Sequence, residues 1–271
     1  MMTSEPAPRS HHANIRVDRD ESVATITIDR PESKNGCTGD MWVALGATFR
    51  DLSWSGVRVV VLTGAGGNFC TGADLSGAGG GDGARQPGTM TDAMRVLSDA
   101  VLAIQQCPVP VVAKVDGLCV GAGLGLALAA DITWCSDRAR FSLIFAKRGL
   151  SLDFGTSWLL RQRIGVHKAK ELAFTARMLS GAEAYELGLV NAVVPADELD
   201  QATDAVVDTI AAGPPVALAA IKRELDFAAS SSLAQALEVE ALAQSVNVQT
   251  DDMREAFVAY VERREPKFTG R

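Results

Sequence analysis

The chain has 271 residues, of which 47% are hydrophobic, so it can bury a large core as one domain or as a domain with an appendage. Its formal net charge of −7 argues against a nucleic-acid partner, which usually needs a basic face. No apolar stretch approaches the ~20 residues of a membrane span, and the polar N-terminus lacks the apolar segment of a signal peptide. We therefore expect a cytoplasmic protein without a membrane partner, preceded by a disordered leader over residues 1–13.

The scarcity of cysteine pairs and histidines limits the chemistry. The five cysteines form no CxxC pair, which indicates free thiols in a reducing compartment. Two of the three histidines, His11 and His12, lie in the leader, so no metal site rich in histidine can be assembled and no metal is expected. A Ser-His or Cys-His nucleophile would depend on His167, which lies in a basic helical stretch typical of a protein surface.

The first half of the chain alternates predicted strands and helices. Alternating apolar residues predict a hairpin, and the later apolar periodicities predict helices separated by β-branched runs. A stretch rich in glycine interrupts this pattern and predicts a mobile loop. The predicted elements are a hairpin (15–18 and 23–28), a helix capped by Thr38 (to residue 52), a strand (59–63), a loop (76–88), a helix (92–106) and a strand (110–115).

The second half becomes predominantly helical after residue 157. Ser180 and Glu183 have the spacing of a capping box, and Gly188 is a candidate helix stop. The predicted elements are a helix of small residues (122–130), strands (132–135, 141–145 and 189–194), a helix (155–162), and four final helices (197–212, 215–229, 233–248 and 251–264). This pattern predicts an α/β core over residues 14–195 and a helical C-terminal region over residues 196–271.

Two turns rich in glycine are the most informative motifs, because each directly follows a β-branched run. They read VVVLTGAGGNFCTGADL (residues 59–75) and PVVAKVDGLCVGAGLG (residues 110–125). Glycine removes side chains, so a ligand can approach the backbone N–H groups. If each turn opens a helix, those N–H groups favour a developing negative charge. Two such donors directed at one oxygen would form an oxyanion hole.

The second turn also superficially matches a dinucleotide-binding motif. Residues 121–125 read GAGLG, a GxGxG spacing, whereas the dinucleotide fingerprint is GxGxxG. Asp137 follows too soon to be the acidic residue that binds the ribose. The spacing therefore argues against a nicotinamide or flavin dinucleotide.

Three segments, read together, resemble the signatures of the crotonase, or enoyl-CoA hydratase/isomerase, superfamily. They are residues 59–75, 112–131 and 179–195, and residues 29–31, Asn35 and residues 264–268 fit the same pattern. The resemblance extends over residues 17–268. It implies an α/β fold in which repeated ββα turns form a spiral of two roughly perpendicular sheets, with a helical C-terminal region that forms trimers or dimers of trimers. It also implies an acyl-CoA thioester as substrate and an enolate intermediate.

The resemblance also assigns residues to the site. The oxyanion-hole donors would be the N–H groups of Ala73 and Ala122, next to Gly72 and Gly121. Coenzyme A, as part of the substrate and not a separate cofactor, would run past residues 33–36 and 72–75. Further binding positions are Lys34 for a CoA phosphate, Asp74 and Leu75 beside the first turn, Phe145 in the acyl pocket, and Lys267 and Phe268 closing the site of a neighbouring subunit.

The proton-transfer residues depart from the family pattern. The two glutamates that hydratases of this family use fall on Gly125 and Phe145, which cannot move a proton. The remaining carboxylate is Asp153, in a segment similar to one in family isomerases and dehalogenases, with Leu152 in place of the usual proline. Its apolar neighbours should raise its pKa, which suits a base. Alternatively, Asp153 caps the helix that begins at residue 155.

These residues predict an enoyl-CoA isomerase with Asp153 as the base. A hydratase, or a thioester hydrolase or dehalogenase of the same fold, would have to recruit another group, such as Asp74 or the loop over residues 76–88. We otherwise interpret Asp74 as a turn or structural residue. A protein of another class, which binds acyl-CoA without catalysis, is also compatible with the loss of both glutamates.

Overall fold

The computed structural model describes residues 10–74 and 87–271, with residues 87–89 described by their backbone alone. Its strands are β1 (Ile15–Asp20), β2 (Val23–Ile28), β3 (Val59–Gly64), β4 (Val111–Val115), β5 (Leu118–Val120), β6 (Ile132–Ser136), β7 (Arg140–Ser142), β8 (Leu179–Ser180) and β9 (Ala192–Val194). Its helices are α1 (Gly39–Leu52), α2 (Pro87–Gln106), α3 (Ala122–Ala129), α4 (Thr156–Thr175), α5 (Gly181–Glu186), α6 (Leu199–Ala211), α7 (Pro215–Ala228), α8 (Leu233–Asn247) and α9 (Asp251–Glu262).

The strands form two sheets. The larger sheet has the order β1-β2-β3-β4-β6-β9, in which β1 is antiparallel to β2 and the other neighbours are parallel. The smaller sheet has the order β5-β7-β8. Because β3 and β4 are parallel neighbours, the chain segments that follow them leave the same edge of the sheet. That edge carries both glycine turns.

The main core lies between the larger sheet and the helices α1, α2 and α3. The largest fully buried side chains include Trp42, Phe49 and Phe69. A smaller cluster of Val59, Val61, Val112 and Val207 packs α6 on the opposite face of β3 and β4. Both faces of these strands are therefore covered, as their continuous β-branched runs predict.

Most predicted elements are confirmed, but several differ at their ends; strand β9, for example, begins at Ala192 rather than at residue 189. Strand β1 continues to Asp20, and α2 begins at Pro87 rather than at residue 92. The strand predicted over residues 141–145 ends at Ser142, because its partner β5 has only three residues, and a 3-10 helix (Ile144–Arg148) follows. Helix α4 extends to Thr175 across a break at Gly165, where φ is 73°.

The N-terminal prediction also needs correction. Residues 10–13 of the expected leader make defined contacts, since the His11 ring lies 2.7 Å from the Asp51 carboxylate. Residues 1–9 of the leader lie outside the described residues. Most of the loop predicted over residues 76–88 also lies outside them, but its last two residues begin α2.

The C-terminal region consists of four helices, α6 to α9. Lys222 on α7 reaches into the core, where its ammonium group lies 2.8 Å from the Asp131 carboxylate and donates to the Ile104 carbonyl. The predicted capping box of Ser180 and Glu183 is confirmed at the start of α5. Within the described residues no single helix is both long and apolar enough to span a membrane, although α6 and α7, bent by 106°, pass that test of length and composition as a pair.

Candidate active site

The two glycine turns lie directly against each other. Cys70 donates its N–H to the Leu118 carbonyl at 3.0 Å, and Val120 donates to the Cys70 carbonyl at 2.9 Å. Gly72 has φ of +89°, and a methyl group there would lie 3.1 Å from the Val120 oxygen and 3.2 Å from the Ala122 nitrogen. Glycine at this position therefore allows the first turn to approach the backbone of the second.

This contact brings the Ala73 and Ala122 amides into one region. Ala122 is the first residue of α3, where a helix leaves its N–H groups unsatisfied. Ala73 lies between two hydrogen bonds, from the Cys37 N–H to the Gly72 carbonyl and from the Asp74 N–H to the Cys37 carbonyl. Among the hydrogen bonds of residues 10–74 and 87–271, none has the Ala73 or Ala122 N–H as donor. Both amides can therefore bind an oxygen of a ligand.

A buried asparagine fastens the first turn to the hairpin. The Asn35 side-chain amide donates to the Ala65 carbonyl at 2.8 Å and to the Asn68 carbonyl at 2.6 Å. Its side-chain oxygen accepts from the Arg30 N–H at 2.9 Å. Asn35 was noted in the sequence only as part of the family pattern. Its structural role depends on contacts with residues about 30 positions away, which no local signal reveals.

The residues expected to meet coenzyme A flank this turn. Asp74 forms a largely buried ion pair with Arg30, 2.6 Å between Nη1 and Oδ2. Lys34 has an exposed side chain, and its carbonyl accepts from the Thr71 hydroxyl at 3.2 Å, which fixes it beside the first turn. Leu75 lies outside the described residues. The Arg30–Asp74 pair was not predicted, and it explains how Asp74 is held.

The two positions to which the family resemblance assigns glutamates are filled by apolar packing. Gly125 is buried on α3, and a methyl group there would lie 2.7 Å from the Phe154 carbonyl oxygen. Phe145 is buried in the 3-10 helix, and its ring edge lies 4.0 Å from the place of a methyl group on Gly121. Neither position offers a proton donor or acceptor.

Asp153 has the environment of a functional carboxylate. Its Oδ1 is buried and has no hydrogen-bond partner within the described part of the chain. Burial raises the pKa of this carboxyl to about 6, and no charged side chain contributes to the shift. Unpartnered buried oxygens are uncommon in native proteins and often mark a catalytic site.

The alternative role of Asp153 as a helix cap is wrong. The residue before the first turn of α4 is Gly155, with φ of +70°, and no side chain caps this helix. Thr156 donates both its N–H, at 3.0 Å, and its hydroxyl, at 2.7 Å, to the backbone carbonyl of Asp153. The main-chain carbonyl of Asp153 thus accepts the hydrogen bonds at the start of α4, and its carboxyl group takes no part in capping the helix.

The C-terminal residues do not join the site of their own chain. The Phe268 carbonyl accepts from Arg58 at 2.7 Å, and Arg58 immediately precedes β3. The first glycine turn follows the other end of β3, about 20 Å away at the rise of a β-strand. Lys267 is exposed nearby.

The cysteine thiols are buried and form no disulfide. All five cysteines are buried free thiols, and burial raises the pKa of Cys119 well above its usual value, which keeps it protonated. Within the described ranges no group of three or more histidine, cysteine, aspartate or glutamate side chains is arranged to hold a metal ion. His167 is exposed on α4, as its basic surroundings predict.

Comparison with known proteins gives consistent matches over almost the whole chain. The family model described as enoyl-CoA hydratase/isomerase matches residues 18–271. A probable enoyl-CoA hydratase of Rhodobacter capsulatus is 36% identical over 263 residues, covering 97% of this chain and all of that protein. The peroxisomal Delta(3,5)-Delta(2,4)-dienoyl-CoA isomerase of Arabidopsis thaliana is 33% identical, covering 94% of this chain and 95% of that protein.

A solved structure extends the match to the fold. The Thermobifida fusca protein, described as an enoyl-CoA hydratase in complex with CoA, superimposes with a TM-score of 0.81 at 35% identity. The alignment covers 90% of this chain and 97% of that one. Together with the paired glycine turns, these matches mean that the chain belongs to the enoyl-CoA hydratase/isomerase family of the crotonase superfamily.

Proposed function

We propose that this protein moves the double bond of an enoyl-CoA between the β,γ and α,β positions, with Asp153 as the base that transfers the proton. The observation that carries this proposal is the half-buried Asp153 carboxyl group, whose Oδ1 is buried without a hydrogen-bond partner and whose pKa is raised to about 6. A base with such a pKa can both take and return a proton near neutral pH.

The proposed reaction needs one base and two amide donors. The Asp153 carboxylate removes a proton from Cα of a β,γ-enoyl thioester, and the electron pair moves onto the thioester oxygen. The Ala73 and Ala122 N–H groups donate to this dienolate oxygen, an interaction worth roughly 3–4 kcal/mol for each donor. The protonated Asp153 then delivers the proton to Cγ, which re-forms the thioester carbonyl and leaves an α,β double bond.

The same residues argue against hydration. Addition of water needs a group that activates water and a group that protonates Cα. The positions that supply these groups in family hydratases are occupied here by Gly125 and Phe145. A hydratase would therefore have to use a different pair of groups.

We propose the remaining features of the substrate site from the family match. Coenzyme A enters as part of the substrate, so the reaction needs no separate cofactor. We assign Lys34, whose side chain is exposed, to pair with a CoA phosphate. Because Lys267 and Phe268 lie at the far end of β3, they would contribute to a site only in a neighbouring copy within a trimer or a dimer of trimers.

The test is incubation of the purified protein with a 3-enoyl-CoA, followed by ultraviolet absorbance and mass spectrometry. We expect formation of the conjugated 2-enoyl-CoA without a change in mass. Asp153→Asn should lower kcat by about 10²–10⁴-fold, the usual contribution of a general base. Asp137→Asn is the matched control, since Asp137 is an exposed aspartate and should retain full activity.

Three outcomes would contradict the proposal. A product heavier by one water molecule would indicate a hydratase. Wild-type isomerisation by Asp153→Asn would exclude this residue as the base. Thermal stabilisation by CoA thioesters without turnover of 2-enoyl or 3-enoyl substrates would indicate a protein that binds acyl-CoA without catalysis.

A further inference from the structure

We propose that Gly125 is a positioning residue for Asp153: its missing side chain lets the Phe154 backbone lie against α3, and this contact holds the Asp153 carboxyl at the site. The inference rests on the proposed function of Asp153. It gives Gly125 a role of its own, beyond the absence of a glutamate.

The contact between Gly125 and Phe154 is tight. A methyl group on Gly125 would lie 2.7 Å from the Phe154 carbonyl oxygen, 2.9 Å from the Phe154 Cβ and 3.4 Å from the Thr156 Cγ2. Distances below 3.0 Å force something to move, and the nearest atom here belongs to the backbone. Any side chain at residue 125 would therefore displace the segment that carries Asp153.

The segment cannot retreat easily, because it is held on its other sides. The Phe154 ring packs against the Trp42 ring at an interplanar angle of 54°, with centroids 4.5 Å apart. Thr156 makes two hydrogen bonds to the Asp153 carbonyl. A methyl group on Gly155 would already lie 3.1 Å from Val101, so the next residue along is also closely packed.

The backbone conformation of this segment depends on the same packing. Phe154 has φ of +47°, a left-handed conformation that is strained for a bulky side chain. Such strain persists only where the surroundings over-determine it, and here Trp42 and Gly125 provide those surroundings. Relaxation of Phe154 would rotate the peptide that joins it to Asp153.

Gly125 also ties this segment to the oxyanion hole. It lies three residues after Ala122, about 4.5 Å along the axis of α3, and its N–H donates to the Gly121 carbonyl at 3.2 Å. The contact between Gly125 and Phe154 therefore lies about one turn of α3 from the Ala122 amide. It sets the distance between the Asp153 carboxyl and that amide. A small displacement at this contact would move the carboxyl relative to the thioester.

The test compares Gly125→Ala with the wild type in the 3-enoyl-CoA isomerisation assay. We expect kcat to fall at least about tenfold while KM changes less than about threefold, because the proposed CoA-binding residues on α3 do not extend beyond its first residue, Ala122. The acidic limb of the kcat–pH profile should move from about pH 6 towards lower pH, since a displaced Asp153 becomes more hydrated. Gly46→Ala, which adds a methyl group at another buried helical glycine, is the control and should change neither value.

The outcomes separate this inference from the proposed function. Wild-type kcat in Gly125→Ala, or a lower kcat with an unmoved acidic limb, would overturn the positioning role. Should Gly125→Ala fail to fold, Thr156→Val loosens the same segment by removing the hydroxyl bond to Asp153, and an unchanged profile there would also overturn it. Wild-type activity in Asp153→Asn would instead overturn the proposed function.

Discussion

The two halves of the candidate site are built by different means. The oxyanion-hole half consists of the main-chain amides of Ala73 and Ala122, fixed by backbone hydrogen bonds between the turns. The proton-transfer half depends on one side chain, Asp153, whose position is set by packing. A substitution that preserves the backbone conformation changes a side chain but leaves main-chain donors in place. One fold can therefore keep thioester binding while its reaction changes.

The relatives are named for different reactions. A probable enoyl-CoA hydratase and a dienoyl-CoA isomerase match this chain at similar identity. In this chain the positions that we propose determine the reaction hold Gly125, Phe145 and Asp153. The following predictions probe each half, beginning with the largest expected effect.

Gly72→Ala should damage the main-chain half most. The new methyl group would lie 3.2 Å from the Ala122 nitrogen in a backbone with φ of +89°, so the two amides would separate. We expect kcat to fall about 10²–10³-fold, as when one oxyanion-hole donor is lost. Steady-state kinetics would measure this, with Gly39→Ala as control because its methyl group meets nothing closer than 3.8 Å. A loss below about threefold would mean that the hole lies elsewhere.

The pH dependence of kcat should report the side-chain half. Asp153 must be ionised to act as a base, and burial raises its pKa to about 6. We expect kcat to fall about tenfold per pH unit below that value and to level off above it. A profile that stays flat down to about pH 4.5 would contradict this assignment, since an ordinary carboxyl would remain ionised.

The ionised Asp153 carboxylate should lower the free energy of unfolding of the protein. Its pKa is higher in the folded chain than in the unfolded chain, so the folded state binds more protons between about pH 4 and pH 6 and loses stability as the pH rises through this window. Asp153→Asn should raise the free energy of unfolding by roughly 1–2 kcal/mol above pH 6, after allowance for solvent screening. Urea unfolding at both ends of the window measures it. An equal effect below pH 4 would point to another cause.

Asp74→Asn should have the smallest effect on turnover. Its carboxylate forms an ion pair with Arg30, and in the proposed mechanism it transfers no proton. We expect kcat within about threefold of the wild type, with a loss of stability of about 1–3 kcal/mol from the weakened pair. A loss of kcat above about 10²-fold with normal folding would instead favour a reaction that recruits Asp74.

The sequence by itself determined the family and most of the secondary structure, and it predicted which two amides form the oxyanion hole. The two glycine turns that follow β-branched runs are local patterns. Glycine positions and helix starts can be predicted from only a few neighbouring residues. The absence of glutamate at Gly125 and Phe145 was visible for the same reason. The raised pKa of Asp153 followed in direction from its apolar neighbours.

Only the tertiary structure decided how these parts meet. It placed Gly72 against Ala122, assigned Arg30 to Asp74, and showed that Asp153 caps no helix. It also showed that the space at Gly125 is filled by the Phe154 backbone. Such contacts join residues that are distant in the chain, and their closeness depends on how strands and helices pack, which local propensity does not encode.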